Sequence, residues 1–163
     1  MERDSRFVGG DVNRYLRATE IERENALRWN WVHGSNRKTS ILMKQAAKRE
    51  FGLGGTIYNP RGFVIPDAVA KSAGKDLRRI YERTQAEFRR KGVKTLRVYR
   101  GTKKEIGVHG DVESWTTDKA VARKFGGVVE TRDIPIEKVL THEGSADWVN
   151  GTWGNQKEVV VLE

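Results

Sequence analysis

The stretch Trp153-Gly-Asn-Gln-Lys-Glu158, followed directly by Val159-Val-Val-Leu162, decides how the second half of the chain is interpreted. The apolar run predicts a buried final strand. Glu158 stands at the first position of that strand, where an unpaired buried charge costs several kcal/mol. Because Trp153 and Gln156 precede Glu158 on a loop, the segment predicts the edge of a functional site. That site would combine a stacking surface, a polar side chain and a buried acid.

The residues upstream of this strand also follow a period of two, which is typical of a sheet. Leu96, Val98 and Arg100 share one side of a predicted strand, so an arginine stands on its apolar side. Further short strands are predicted at residues 113–116, 128–131 and 139–140. The turn residues between them support this division into separate strands.

A brief helix is predicted between the second and third of these strands. Thr117 or Asp118 caps it, Gly126-Gly127 ends it, and Ala122 and Phe125 are expected on its inner face. Ile134-Pro-Ile136 is predicted to begin a turn.

The first 92 residues are predicted to be mainly helical, with capping residues at the start of each helix and glycines after the last two. Their expected bounds are Asp11 to Leu27, Thr39 or Ser40 to Gly52, and Pro66 to Gly92. The fold class is therefore α+β. We expect one domain over residues 1–163, in which the helical half 1–92 packs on a small, split, mixed or antiparallel strand-rich core at 93–163.

Composition excludes several kinds of site. The chain has no cysteine, which excludes disulfides, thiolate chemistry and zinc–sulfur sites. His33, His109 and His142 are scattered without ligand spacing, so no metal is expected. No apolar run approaches the roughly 18 to 20 residues that span a bilayer. No secretory segment is recognisable at the N-terminus, so we expect a cytoplasmic protein without a membrane partner.

The net charge of +9 is unevenly distributed. Residues 1–94 contain 21 Lys and Arg against 11 Asp and Glu, a net of +10, whereas residues 95–163 contain 10 against 11, a net of −1. One interpretation is an electrostatic footprint for nucleic acid. The other is solvated helix faces on which Arg and Lys pair with acids at helical spacing. Charge alone leaves both open.

Three motifs in the second half together resemble the Arg–Ser–Glu class of mono-ADP-ribosyltransferases. They are Tyr99-Arg-Gly101, then Ser114-Trp-Thr-Thr117 with Ala122 and Phe125 after it, and Trp153-Gly-Asn-Gln-Lys-Glu158. Residues 31–53 resemble, less specifically, the helical segments that precede this core in some bacterial and phage members. The resemblance implies a catalytic core that binds NAD as a substrate over residues 93–163, with no metal.

The resemblance assigns a role to each motif in NAD cleavage. Arg100 would bind the pyrophosphate bidentately, and the backbone at Gly101 would approach the nicotinamide amide. Ser114 would bond the nicotinamide ribose or hold Glu158, and Glu158 would stabilise the oxocarbenium-like sugar. Taken singly, each motif has a structural explanation: an ion-paired arginine, a cross-strand Ser and Thr, and a solvated strand edge.

Two further residues have a less definite role in this resemblance. Thr116 is expected to stabilise its strand within the cofactor pocket, and Phe125 either walls that pocket or belongs to the core. The middle strand departs from the family because it has Ser-Trp-Thr where Ser-Thr-Ser is common. Trp115 is therefore expected to point away from Ser114 and to pack outward against a helix.

Gln156 bears on the acceptor of the ADP-ribose group. Arginine-modifying members usually have a second Glu at this position, and an amide cannot act as a base, so arginine is disfavoured as acceptor. A Gln with an upstream aromatic resembles both the Rho-modifying exoenzymes and the pierisin-like enzymes that modify guanine. Gln156 and Trp153 would read and stack on a base, or Trp153 would cover a protein surface or pack within its turn.

The basic first half makes a nucleic acid, RNA or DNA, the favoured acceptor, with a protein side chain as the alternative. An NAD glycohydrolase and a non-enzymatic nucleic-acid-binding module are the other hypotheses. By family company, we expect a phage effector or a toxin of an antiphage or toxin–antitoxin system, with a neutralising partner.

Overall fold

The computed structural model describes residues 12–24, 27, 38–54, 57, 59, 62–102, 112–142 and 158–162, with the backbone alone at 12–14, 38–40, 112–114 and 158. Helices come first and strands follow, so the α+β prediction is confirmed. A 3-10 helix covers Val12–Arg17. The α-helices are α1, Lys38–Phe51, α2, Asp67–Lys91, and α3, Lys119–Phe125. The strands are β1, Thr95–Thr102, β2, Val112–Thr116, β3, Val128–Pro135, β4, Val139–His142, and β5, Glu158–Leu162.

The chain divides into two compact units, Met1–Arg79, the helical unit, and Ile80–Glu163, the sheet unit. α2 contributes residues up to Arg79 to the first and residues from Ile80 onward to the second. The expectation of one domain over 1–163 stays a prediction. Within the described residues, no helix has both the length and the apolar character that a membrane span requires.

The helical unit is built on α1 and the first turns of α2. Leu42, Ala46 and Ala47, predicted on one side of α1, are buried. Gly52 follows α1 with φ +67°, a left-handed conformation that glycine adopts without steric cost.

The prediction of one helix from Asp11 through Leu27 is wrong. A 3-10 helix ends at Arg17, and helical structure resumes at residues 20–24 and 27. The cause is a capping box at Thr19: its hydroxyl accepts from the Glu22 amide at 3.3 Å, and the Glu22 carboxylate accepts from the Thr19 amide at 3.1 Å. Leu16 and Ile21 are consequently exposed rather than on a buried face.

A buried polar cluster lies within the helical unit, around a carboxylate that is 1% exposed, Asp76. The Tyr15 hydroxyl donates to Asp76 Oδ2 at 2.5 Å, and Arg23 Nε donates to the same oxygen at 2.8 Å. Arg79 donates to Asp76 Oδ1. Burial, followed by the charge of Asp76, raises the pKa of Tyr15 well above its ordinary value.

The sheet unit contains a five-stranded antiparallel sheet in the order β3-β1-β2-β5-β4. One face of the sheet carries the apolar core, formed by Phe88, Val98, Trp115, Ile134, Ile136, Val139, Val159 and Val161. The sheet is antiparallel throughout the described residues, which narrows the expectation of a mixed or antiparallel core.

Side-chain hydrogen bonds join the second half of α2 to the segment between β3 and β4. Buried Gln85 donates its amide to the carbonyls of Ile136, at 2.6 Å, and Val139, at 3.0 Å. The Tyr81 hydroxyl donates to the Glu137 carbonyl at 2.7 Å. These bonds join α2 to a 3-10 turn, Ile136–Lys138, and to the first residue of β4; the Ile136 carbonyl also accepts from the Val139 amide.

Candidate active site

The sheet brings together the three strands on which the sequence predicts a site. β1, β2 and β5 are adjacent in the sheet order, and they contain Arg100, Ser114 and Glu158. Thr116 stands opposite Tyr99 of β1 on one side and opposite Glu158 of β5 on the other. β2 lies between β5 and β1, and neighbouring strands lie about 4.8 Å apart. The backbone at Glu158 is therefore two strand spacings away from β1.

The connection between β1 and β2 is the narrowest in the sheet within the described residues. It consists of the single pair Tyr99↔Thr116, whereas β1 and β3 share eight pairs and β2 and β5 share five. Arg100 and Gly101 follow that pair on β1 and continue to pair with β3. The predicted site residues of β1 therefore lie where registered pairing with β2 stops.

Arg100 and Thr116 lie on opposite faces of the sheet. Tyr99 and Thr116 face each other directly, so their side chains share a face. Successive residues alternate, which puts Arg100 on the other face, together with buried Val98. The prediction of an arginine on the apolar side of β1 is thus confirmed.

Gly101 has a packing role that the sequence interpretation missed. A Cβ atom built there would lie 1.7 Å from the Ala122 carbonyl oxygen and 3.3 Å from the Gly126 amide nitrogen. The close approach that requires a glycine is therefore made by α3 in this structure. Any contact of the Gly101 backbone with nicotinamide stays a prediction.

Thr116 positions the start of α3. Its side chain is buried, and its hydroxyl accepts from the Asp118 amide at 3.1 Å. Asp118 in turn caps α3 by accepting from the Ala120 amide at 2.9 Å. Of the two capping residues that the sequence offered, Asp118 is the one used.

Two aromatic residues differ from their expected environments. Phe125, expected on the inner face of its helix, is the last residue of α3 and is 53% exposed. Trp115, expected to pack outward against a helix, does pack with Phe88 of α2, but it is 2% exposed and belongs to the apolar core. Ala122 is buried as expected. The exposure of Phe125 is compatible with a pocket wall, which stays a prediction.

The structure describes only some of the remaining predicted site residues. Trp153 and Gln156 lie outside the described residues, as do His33 and His109. Ser114 and Glu158 are described by their backbone, at the strand positions given above. His142 stacks on Phe88 with ring centroids 4.8 Å apart. Among the described residues, no group of three or more His, Asp or Glu is placed to hold a metal ion.

Two charged residues beside Arg100 were not singled out from the sequence. Glu130 is the cross-strand partner of Arg100, and Arg132 lies two residues further along β3. Arg132 donates to Glu130 Oε2 at 3.0 Å. The signal was present in the alternation of Glu130, Arg132 and Ile134, which puts two charges on the apolar side of a strand.

Ion pairs engage a share of the basic residues of the helical unit. Arg23 and Arg79 contact Asp76, Arg78 contacts Glu50, and Arg49 contacts exposed Asp67. Lys71 and Lys75 are exposed on α2. The Asp76 pairs are buried, and the pairs of Arg49 and Arg78 join residues of α1 and α2, so these pairs engage basic charge without being the solvated pairs at helical spacing that one interpretation expects. The exposed lysines leave room for an electrostatic footprint.

Comparisons of the chain with protein-family models, with curated proteins and with solved structures return no match.

Proposed function

We propose that this chain is a mono-ADP-ribosyltransferase that cleaves NAD and transfers ADP-ribose to a macromolecular acceptor. One observation carries the proposal: the strands of Arg100, Ser114 and Glu158 are neighbours in the sheet. Residues that come from separate parts of the sequence become adjacent only if the strand order is right. In the order β1-β2-β5 these three strands are consecutive, which supports the proposal.

The chemistry requires one carboxylate. The bond between the nicotinamide nitrogen and the ribose carbon breaks, and its electron pair stays on the departing neutral nicotinamide. The sugar becomes oxocarbenium-like, and Glu158 stabilises that positive charge. The acceptor then forms the new bond to the same carbon and loses its proton. An acid for the leaving group, which ordinary glycosidases need, is unnecessary.

Arg100 holds the pyrophosphate in this proposal. A guanidinium stays charged at any working pH and matches phosphate oxygens in a fork. Because Arg100 and Thr116 lie on opposite faces of the sheet, Thr116 serves in this proposal as a residue that stabilises its strand. Ser114 bonds the nicotinamide ribose or holds Glu158, and exposed Phe125 walls the nicotinamide pocket.

The proposed acceptor is a nucleic acid base, in RNA or DNA. Residues 1–94 carry a net charge of +10, which favours a phosphate backbone, and Lys71 and Lys75 are exposed. Trp153 would stack on the base and Gln156 would read its edge. A protein side chain is the second acceptor, because the ion pairs of Arg23, Arg49 and Arg78 reduce the basic charge available to nucleic acid.

The test incubates the protein with NAD labelled in the adenosine part, together with separate pools of RNA, DNA and protein. We expect label in a nucleic-acid pool. Label in the protein pool would move the assignment to the second acceptor. Nicotinamide release without a labelled macromolecule would make the protein an NAD glycohydrolase. If neither label nor nicotinamide appears while nucleic acid binds, the chain is a binding module and the proposal is wrong.

A salt titration examines the charge argument separately. The logarithm of nucleic-acid affinity should fall linearly with the logarithm of salt concentration, because phosphate contacts release counterions. A flat dependence would remove the argument for a nucleic-acid acceptor. The cytoplasmic location, the neutralising partner and the phage or toxin context are parts of the same proposal.

A further inference from the structure

Arg132 and Glu130 form a charged group with Arg100 on one face of the β1–β3 pair. Arg100 stands directly opposite Glu130, and Val98 stands directly opposite Arg132. Directly opposite residues have Cβ atoms about 5 Å apart, and diagonal neighbours such as Arg100 and Arg132 are about 7 to 8 Å apart. Arg132 contacts the Glu130 carboxylate, and Arg100 stands directly across from it on the neighbouring strand.

The position of the Arg132 side chain is defined by two contacts. It donates to Glu130 Oε2 at 3.0 Å, and its guanidinium carbon lies 5.1 Å from the centroid of the Trp115 ring. Trp115 is buried in the apolar core, so the indole provides a rigid platform. The side chain of Arg132 is 35% exposed, so part of it is in contact with solvent.

The charges of this group favour an anion. Arg100 and Arg132 contribute two positive charges and Glu130 one negative charge, a surplus of one. The Glu130 side chain is 13% exposed, so the guanidiniums and the carboxylate interact where water screens them less than at an open surface. Each guanidinium offers a planar fork that fits one phosphate group.

We propose that Arg132 is a second diphosphate-binding residue, which together with Arg100 takes the two phosphates of a dinucleotide, and that Glu130 positions both guanidiniums. The identification of that dinucleotide as NAD rests on the proposed function; the diphosphate site itself rests on the geometry of β1 and β3. Arg100 binds one phosphate and Arg132 the other. Glu130 holds the two forks in place.

The experiment compares the affinities of the full chain for ADP and for AMP by isothermal titration calorimetry. Arg132→Gln should weaken ADP binding about tenfold to a hundredfold, the loss expected for a charged hydrogen bond. AMP binding should change much less, because Arg100 alone serves one phosphate. The preference for ADP over AMP should therefore shrink in the variant.

Arg97→Gln is the matched control. Arg97 of β1 pairs with Asp133 of β3 at 2.8 and 3.0 Å, on the face of the sheet opposite to Arg100 and Arg132. The Arg97→Gln substitution removes the same unit of charge as Arg132→Gln but leaves the proposed site unchanged. Equal losses in Arg97→Gln and Arg132→Gln would reduce the effect to overall charge and overturn the proposal, as would the absence of ADP binding in the unaltered protein.

Glu130→Gln separates a positioning role from a structural one. Removing the carboxylate that orients the guanidiniums should weaken ADP binding at a temperature where the variant is fully folded, and it should leave AMP binding nearly unchanged. A merely structural ion pair would weaken ADP and AMP binding alike in both Glu130→Gln and Arg132→Gln, in step with their thermal midpoints, and that result would contradict the proposal.

The outcomes distinguish this inference from the proposed function. ADP binding that depends on Arg132, in a protein that does not cleave NAD, would support the diphosphate site and refute the transferase. NAD cleavage with an unchanged ADP to AMP preference in Arg132→Gln would do the reverse.

Discussion

The helical unit and the sheet unit bury their interiors in different ways. In the helical unit, a carboxylate that is 1% exposed, Asp76, collects bonds from Tyr15, Arg23 and Arg79. In the sheet unit, the core is apolar and its one buried amide, among the described residues, is Gln85, which serves two carbonyls. The first arrangement makes stability depend on charge balance and pH, whereas the second makes it depend on packing.

This contrast bears on function because the charged groups of the sheet unit lie where its apolar core ends. Arg100, Glu130 and Arg132 follow Val98 and Ile134 on the same face of β1 and β3. These three charged residues lie at the border of the apolar core, and the proposed diphosphate site is built from them. In the helical unit the buried charges hold the fold itself.

The largest predicted effect concerns Asp76. Asp76→Ala leaves two guanidiniums without their buried partner, so we expect the free energy of unfolding to fall by about 3 to 5 kcal/mol. Chemical denaturation followed by circular dichroism measures it. Asp67→Ala is the control, because Asp67 is 79% exposed in its pair with Arg49, and it should cost about 1 kcal/mol or less. Similar losses in both variants would contradict the contrast between the units.

The next effect tests packing in the sheet unit. Gly101→Ala puts a methyl group 1.7 Å from the Ala122 carbonyl oxygen, so α3 must shift and the cost should be about 3 kcal/mol, the upper end for overpacking. Gly127→Ala has nothing within 4 Å of the new methyl group and should change stability by less than about 0.5 kcal/mol. A tolerated alanine at position 101 would mean that α3 does not sit on β1 as described.

A smaller effect is expected from Tyr15. Tyr15→Phe removes a hydrogen bond to a buried carboxylate, worth about 1.5 kcal/mol at neutral pH. Because the pKa of Tyr15 is raised above its ordinary 10.0, its contribution is complete below pH 10 and is lost as pH rises toward the folded-state value. The free energy of unfolding should therefore fall above pH 10 in the unaltered protein and less steeply in Tyr15→Phe. Parallel curves would refute the Tyr15–Asp76 bond.

The smallest effect concerns the exposed pair on β1 and β3. The hydrogen bonds from Arg97 lower the pKa of Asp133, so its contribution exists above the unfolded-state value and is lost as pH falls through the folded-state one. Arg97→Gln should move the Asp133 titration, followed by NMR, to higher pH. An unchanged titration would show that the pair does not form in solution.

Much of the fold could be predicted from local patterns. α1, α2 and all five strand positions follow from caps, glycines and periodicity, since these signals act within a few residues. The end of β3 was missed: Pro135, expected in a turn, closes the strand instead. β3 is an edge strand, where a proline removes no ladder bond. The break before Thr19 was also predictable, because Thr19-x-x-Glu22 is a capping-box pattern.

The candidate site was less accessible to prediction. The sequence indicated which strands carry Arg100, Ser114 and Glu158, but not their lateral order, because strand pairing is decided by contacts between distant segments. The burial of Trp115 and the exposure of Phe125 also depend on what packs against each side chain. The opposite faces of Arg100 and Thr116 follow from the register, which no local pattern specifies.

The most direct measurement of the central claim, that β1, β2 and β5 build one NAD site, is nicotinamide release by the unaltered protein, Glu158→Gln and Glu137→Gln. Glu137 is an exposed carboxylate of the same unit and serves as the control. We predict release by the unaltered protein and by Glu137→Gln, with a loss of about 100-fold or more in Glu158→Gln, because the oxocarbenium charge loses its partner. Equal release by the unaltered protein and Glu158→Gln would contradict the claim.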